Sequence, residues 1–98
     1  MVRDVVTYFQ VRWHHDNPGD PVRIYEELSD ERYELRKVEE FADGRLIRSD
    51  RINPDFATTL SWVPVPAEEE IAAEKELTVD PLTAEAFDSV WARASDAS

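Results

Sequence analysis

The chain predicts an α+β domain: an antiparallel sheet of about four strands in meander order, with a C-terminal helix packed on one face. Three observations carry that expectation. Val5 to Trp13 alternates with a period of two. Tyr25 to Arg48 interleaves charged side chains with strand-type residues and leads into an Asp43-Gly44 turn. Phe87, Val90, Trp91 and Ala94 recur at i, i+3, i+4 and i+7. Period two marks a half-buried strand, because successive side chains point to opposite faces, whereas three-and-four spacing lines residues along one stripe of a helix.

In the first strand Val5, Thr7, Phe9, Val11 and Trp13 form the predicted core face, with Val6, Tyr8, Gln10 and Arg12 on the other. Residues 14–21, HHDNPGDP, break the pattern with Asn-Pro-Gly and a second proline and read as a loop. The second strand, Val22 to Leu28, points Val22, Ile24 and Leu28 one way and Arg23, Tyr25 and Glu27 the other. Glu26 then falls on the apolar side, beyond the core edge or partnered, since a buried lone carboxylate is too costly to keep charged.

Ser29-Asp30-Glu31 is a polar turn, and Arg32 to Phe41 the third strand. Tyr33 and Leu35 fall on one face and Val38 on the opposite one, so a β-bulge around Arg36-Lys37 is expected. Asp43-Gly44 reads as a two-residue type I′ hairpin. That register pairs Phe41 with Leu46, Glu40 with Ile47, Glu39 with Arg48 and Lys37 with Asp50, bringing opposite charges together twice. Residues 45–50 become the fourth strand.

Ser61 to Pro66 must be extended, because each proline pushes its predecessor out of the α region. Ala67 to Ile71 is a short helix whose three glutamates favour the positive end of its dipole, and Leu77 to Val79 a brief strand or coil. Thr83 is the expected N-cap of the last helix, with Leu82 and Phe87 at the spacing of a hydrophobic staple. Its stripe is expected to dock on the odd face of the first strand. The helix and the proline-rich connection would then cover one sheet face and leave the other charged and open.

Ninety-eight residues make one domain, ordered over about 4–94, and long enough to bury roughly 60–70% of the surface of the unfolded chain. The absence of cysteine excludes disulfides, zinc-thiolate sites and thiol catalysis and points to the cytoplasm. Asp4, Gln10 and Arg12 interrupt any signal-peptide core, and no run approaches a membrane span. The net charge is −11: residues 1–53 hold 9 Lys/Arg against 12 Asp/Glu, and residues 54–98 hold 2 against 10. An excess of this size repels phosphate backbones and anionic lipid, so neither nucleic acid nor membrane is an expected partner, and it steers toward a basic protein.

The segments VRWHHD, PVRIYEEL, RYELRKVEEFADG, PVPAEEEI and TAEAFDSVWARA stand in that order between about Tyr8 and Ala94. In this the chain resembles a family of small acidic bacterial domains of unknown function. RYELRKVEEFADG is the most specific segment, and the spaced Phe87 and Trp91 are a second anchor. Ser29 stands where the family pattern leads one to expect an acidic residue. The resemblance implies a single domain and transfers no catalytic or binding residue.

No catalytic residue and no cofactor are assigned. Tyr25, Glu27, Arg36 and Lys37 are expected to line one sheet surface, either holding a peptide or small polar ligand through charge-assisted bonds or forming the cross-strand ion pairs of an exposed face; the second is the expected state. Trp62, between a polar loop and VPVP, is a candidate anchor for a partner. His14 and Asp16 are the weak metal candidates, because alternate residues of an extended segment share a side. The predicted role is a non-enzymatic interaction module, of inhibitor or immunity type, that binds a basic partner. The alternative is a small-molecule-binding or catalytic domain using the loop at 14–16 and the charged sheet face.

Overall fold

In the computed structural model, which describes residues 5–50, 60 and 63–96, β1 (Thr7–Trp13), β2 (Arg23–Leu28), β3 (Glu34–Glu40) and β4 (Leu46–Asp50) form the predicted antiparallel meander. A short helix α1 (Glu68–Ala72), a strand β5 (Leu77–Pro81), the helix α2 (Ala84–Arg93) and a two-residue strand β6 (Ser95–Asp96) follow. The sheet order is β5-β1-β2-β3-β4-β6. Every pairing is antiparallel except that of β6 with β4. The sheet is therefore wider than the four strands expected. Leu77–Pro81 is a full partner of β1, with Val11 opposite Val79, and Pro81 sits at the end of this edge strand, where a missing N–H is tolerated.

Residues paired across strands share a face, so the register sorts the sheet. Phe9, Val11, Glu26, Leu28, Lys37 and Ser49 lie on one side; Tyr8, Tyr25, Glu27, Arg36, Val38 and Arg48 on the other. Phe9, Val11 and Leu28 are covered by Val65 of the proline-rich strap and Ile71 of α1. Tyr25 and Val38 are covered by Phe87, Val90 and Ala94, with Tyr8, Leu46 and Trp91 packed around them.

Two expectations are corrected here. α2 docks on the even face of β1, against Tyr8, not on the odd face; and both faces of the sheet are covered. The chain reaches α2 from α1 through β5, which lies in the plane of the sheet, and so passes from one face to the other around its edge. Thr83 caps α2 as predicted, its hydroxyl accepting from the Ala86 N–H at 3.0 Å.

The β3–β4 register differs by one residue from the two-residue turn. The Phe41 N–H donates to the Arg45 carbonyl at 2.9 Å, the Gly44 N–H to the Phe41 carbonyl at 2.9 Å, and Gly44 alone in the loop has positive φ, at 91°. This is a three-residue loop closed by a left-handed residue. It sets Arg36 against Asp50, Lys37 against Ser49 and Val38 against Arg48. The predicted bulge exists but sits one residue earlier: Glu27 pairs with Arg36 and Leu28 with Glu34, leaving Leu35 as the extra residue.

The β2–β3 loop repeats the geometry with Arg32, φ 70°, in the place of the glycine. A non-glycine residue there costs about 1–2 kcal/mol. Arg32 offsets this by fastening the strap: its Nε donates to the Val65 carbonyl at 2.8 Å, its Nη2 to the Pro66 carbonyl and the Glu68 carboxylate at 2.7 Å each, and its own carbonyl accepts from the Val65 N–H at 2.8 Å. Arg32→Ala and Arg32→Gly both remove the guanidinium, but only alanine keeps the strain. The glycine variant is expected to be more stable than the alanine variant by about 1 kcal/mol in urea unfolding; equal midpoints would show that the turn stores no strain.

Candidate functional site

The register sets Tyr8, Glu27 and Arg36 side by side across three strands beneath α2. Arg36 grips the Glu27 carboxylate with two bonds, Nε to Oε1 at 2.6 Å and Nη2 to Oε2 at 2.7 Å, and the Tyr8 hydroxyl donates to the same Oε2 at 2.8 Å. From α2, Asp88 accepts from Arg36 Nη2 at 3.1 Å, and the guanidinium lies 4.8 Å from the centre of the Phe87 ring and 4.9 Å from that of Trp91. Arg48 completes the stack, 4.9 Å from the Trp91 ring, with Nη1 donating to the Trp91 carbonyl at 3.0 Å.

Burial by itself pushes the Glu27 carboxyl up, but the bonds from Arg36 and Tyr8 to its charged form prevail and hold it below its ordinary value. The Glu27 bond, opposed by burial and aided by Asp88, raises Arg36 further. Burial and the adjacent Glu27 also raise Tyr8. The group is thus a hydrogen-bonded ion pair that clamps the sheet to the helix.

Of the residues singled out in the sequence, Tyr25, Glu27 and Arg36 share this face. Tyr25 is buried, donates to Glu40 Oε1 at 2.7 Å and is raised by that burial. Lys37 does not join them; next in sequence to Arg36, it points to the strap side, with Nζ 3.9 Å from Glu34 Oε1. Trp62 lies outside the described residues. His14 Nε2 meets the Thr78 hydroxyl at 2.8 Å. His15 Nδ1 accepts from the Asn17 N–H at 2.9 Å while Nε2 donates to the Pro21 carbonyl at 2.7 Å, which shapes the 14–21 loop. Among the described residues no three His, Cys, Asp or Glu are grouped to hold a metal ion, and no helix is long and apolar enough to cross a membrane.

Sequence reading missed Tyr8 and Asp88. Tyr8 was assigned to the polar side of β1, and Asp88 is 52 residues from Arg36; the only signal was that Asp88 adjoins the apolar stripe at Phe87.

Two pockets flank α1. One, of about 360 Å³, is lined by Phe9, Glu68, Glu69, Ala72, Asp80 and Pro81 among others. The other, of about 290 Å³, is lined by Pro66, Glu70, Ile71, Glu74 and Leu77. Each combines an apolar floor with carboxylates at its rim. Asp80 pairs with Arg12 at 2.8 Å and Glu68 with Arg32. Among the described residues no cation pairs with the exposed Glu69, Glu70 or Glu74.

Residues 7–96 match the family model described as a domain of unknown function, DUF6881. The chain belongs to that family. The match runs from the first residue of β1 to the last of β6, so the DUF6881 unit is the whole sheet with both of its coverings. No curated protein and no solved structure matches the chain.

Proposed function

We propose that this DUF6881 domain is a non-enzymatic interaction module, of inhibitor or immunity type, that presents an acidic surface to a basic protein partner in the cytoplasm. The observation that carries the reading is the pair of acid-lined pockets on either side of α1, whose carboxylates Glu69, Glu70 and Glu74 are exposed and pair with no cation among the described residues. Lysine and arginine lay their methylene stems along apolar surface and keep the charged head at a polar rim, which is the shape and chemistry of both pockets. The charge of residues 54–98 would speed encounter with such a partner over distances up to the Debye length, about 8 Å at physiological ionic strength. The alternative, a small-molecule-binding or catalytic domain using the loop at 14–16 and the charged sheet face, is disfavoured because Glu27 and Arg36 already satisfy each other under α2 and the two histidines bond to Thr78 and Pro21.

The test is capture from native lysate at low and at high salt, with the wild type and with a charge-reversed Glu69→Lys, Glu70→Lys, Glu74→Lys variant. A basic protein is expected on the wild type at low salt only, and not on the variant, whose exposed substitutions leave folding within about 0.5 kcal/mol per site. Recovery of no basic protein at low salt, or equal recovery by both proteins, would refute the reading.

A further inference from the structure

On the strap-covered face the register aligns Phe9, Glu26, Lys37 and Ser49 across four strands, and the bulge at Leu35 turns Glu34 onto the same side. Glu26 is 7% exposed and Glu34 4%. The two buried carboxyl groups lie on the same side of adjacent strands, and Glu26 Oε1 meets no partner. Two ionised carboxylates buried together repel strongly away from water, and neither can donate to the other. A hydrogen on one of them removes that cost.

The surroundings decide which. The charged groups that bear on Glu26 are Glu34, Lys37 and Glu39, all from β3. Around them on this face lie the buried Ser49 of β4 and an apolar group: Phe9 and Val11 from β1, Val65 from the strap, Ile71 from α1, and Leu77 and Val79 from β5. Lys37 Nζ stands 3.9 Å from Glu34 Oε1. Glu26 is opposite Phe9, with one oxygen unbonded, and an unbonded oxygen is far cheaper to bury on a neutral acid than on a carboxylate.

We propose that Glu26 is held as a neutral carboxylic acid where an exposed glutamate is ionised, and that loss of this proton destabilises the strap-covered face, so that the stability of the domain responds to pH through this one buried group. Burial, then the bond to Glu34, also raise the Glu26 carboxyl well above its ordinary value, in agreement with the geometry. A group raised in the folded state contributes stability that is complete below its unfolded value, about 4.3 for glutamate, and is lost as pH rises through its folded value.

The experiment is a carboxyl-carbon NMR titration of the folded domain, together with unfolding of wild type and Glu26→Gln between pH 4 and 9. Glutamine keeps a donor at this position and cannot ionise. The Glu26 carboxyl is expected to titrate above the ordinary glutamate value of about 4.3. The folding equilibrium constant of the variant relative to wild type is expected to grow by up to tenfold per pH unit above about pH 4.5. A Glu26 carboxyl that titrates at or below about 4.3, or a ratio that does not change with pH, would overturn the proposal. Should Glu26→Gln fail to fold, the titration of the wild type decides alone.

Discussion

Phe87→Ala is expected to unfold the domain or nearly so. Phe87 is 0% exposed and sits where α2 meets the sheet, its ring 5.5 Å from that of Tyr8 and 6.2 Å from that of Trp91, with the Arg36 guanidinium over it. Truncating a buried phenylalanine costs about 3–5 kcal/mol, against the 5–15 kcal/mol that typically holds a domain together. The cation–π contact adds about 0.5–2 kcal/mol. Trp91→Ala, at a half-buried position on the same stripe, should cost less, and Arg93→Ala, exposed on the far side of α2, should stay within about 0.5 kcal/mol of wild type. Urea unfolding followed by far-UV dichroism gives all three values, and a Phe87→Ala midpoint close to that of wild type would mean that α2 does not anchor the sheet.

Arg36→Met should be nearly as damaging, for a different reason. The methionine fills much of the space but leaves Glu27, 8% exposed, without its counter-charge; breaking a buried pair from one side costs about 3–5 kcal/mol. Adding Glu27→Gln removes the stranded charge, so the double variant should recover part of the loss, a coupling that a double-mutant cycle measures directly. The dependence on pH follows from the sign of the shift. Because Glu27 is held below its ordinary value, its contribution is present above about pH 4.3 and lost as pH falls through the folded value. In Arg36→Met only burial and Tyr8 remain, so acid should cost this variant less than it costs the wild type. An equal acid sensitivity in the two proteins would show that the Arg36–Glu27 pair is not what opposes protonation. Glu26 and Glu27, adjacent in sequence, thus pull the stability curve in opposite directions.

The meander was legible because period-two alternation and turn chemistry are local properties. Its register was not: Asp43-Gly44 serves a two-residue loop if both residues take positive φ and a three-residue loop if only Gly44 does, and nothing nearby in sequence distinguishes the two. The face chosen by α2 was hidden for a related reason. Tyr8, Tyr25, Glu27 and Arg36 look polar one by one, yet the register pairs their hydroxyls and charges so fully that the surface becomes suitable for burial. Two anomalies were visible from residues alone: the parity of Val38, which marked the bulge, and Glu26 on the apolar side, which marked the buried acid pair. Parity in a strand separates Lys37 from Arg36, although in sequence they read as one basic step.

The edge pairing of β5 with β1 has a kinetic consequence. Neighbouring strands of the meander meet across short loops, whereas Arg12 finds Asp80 across a separation of 68 residues. Closing a long loop has an entropic cost that grows with the logarithm of its length, and contacts distant in sequence slow folding. The four-stranded meander is therefore expected to form first and to serve as the template, with β5 joining it late and bringing α2 and β6 behind it to the opposite face. The expected order of assembly follows the chain: the C-terminal elements settle last, onto a sheet whose hairpins are already closed.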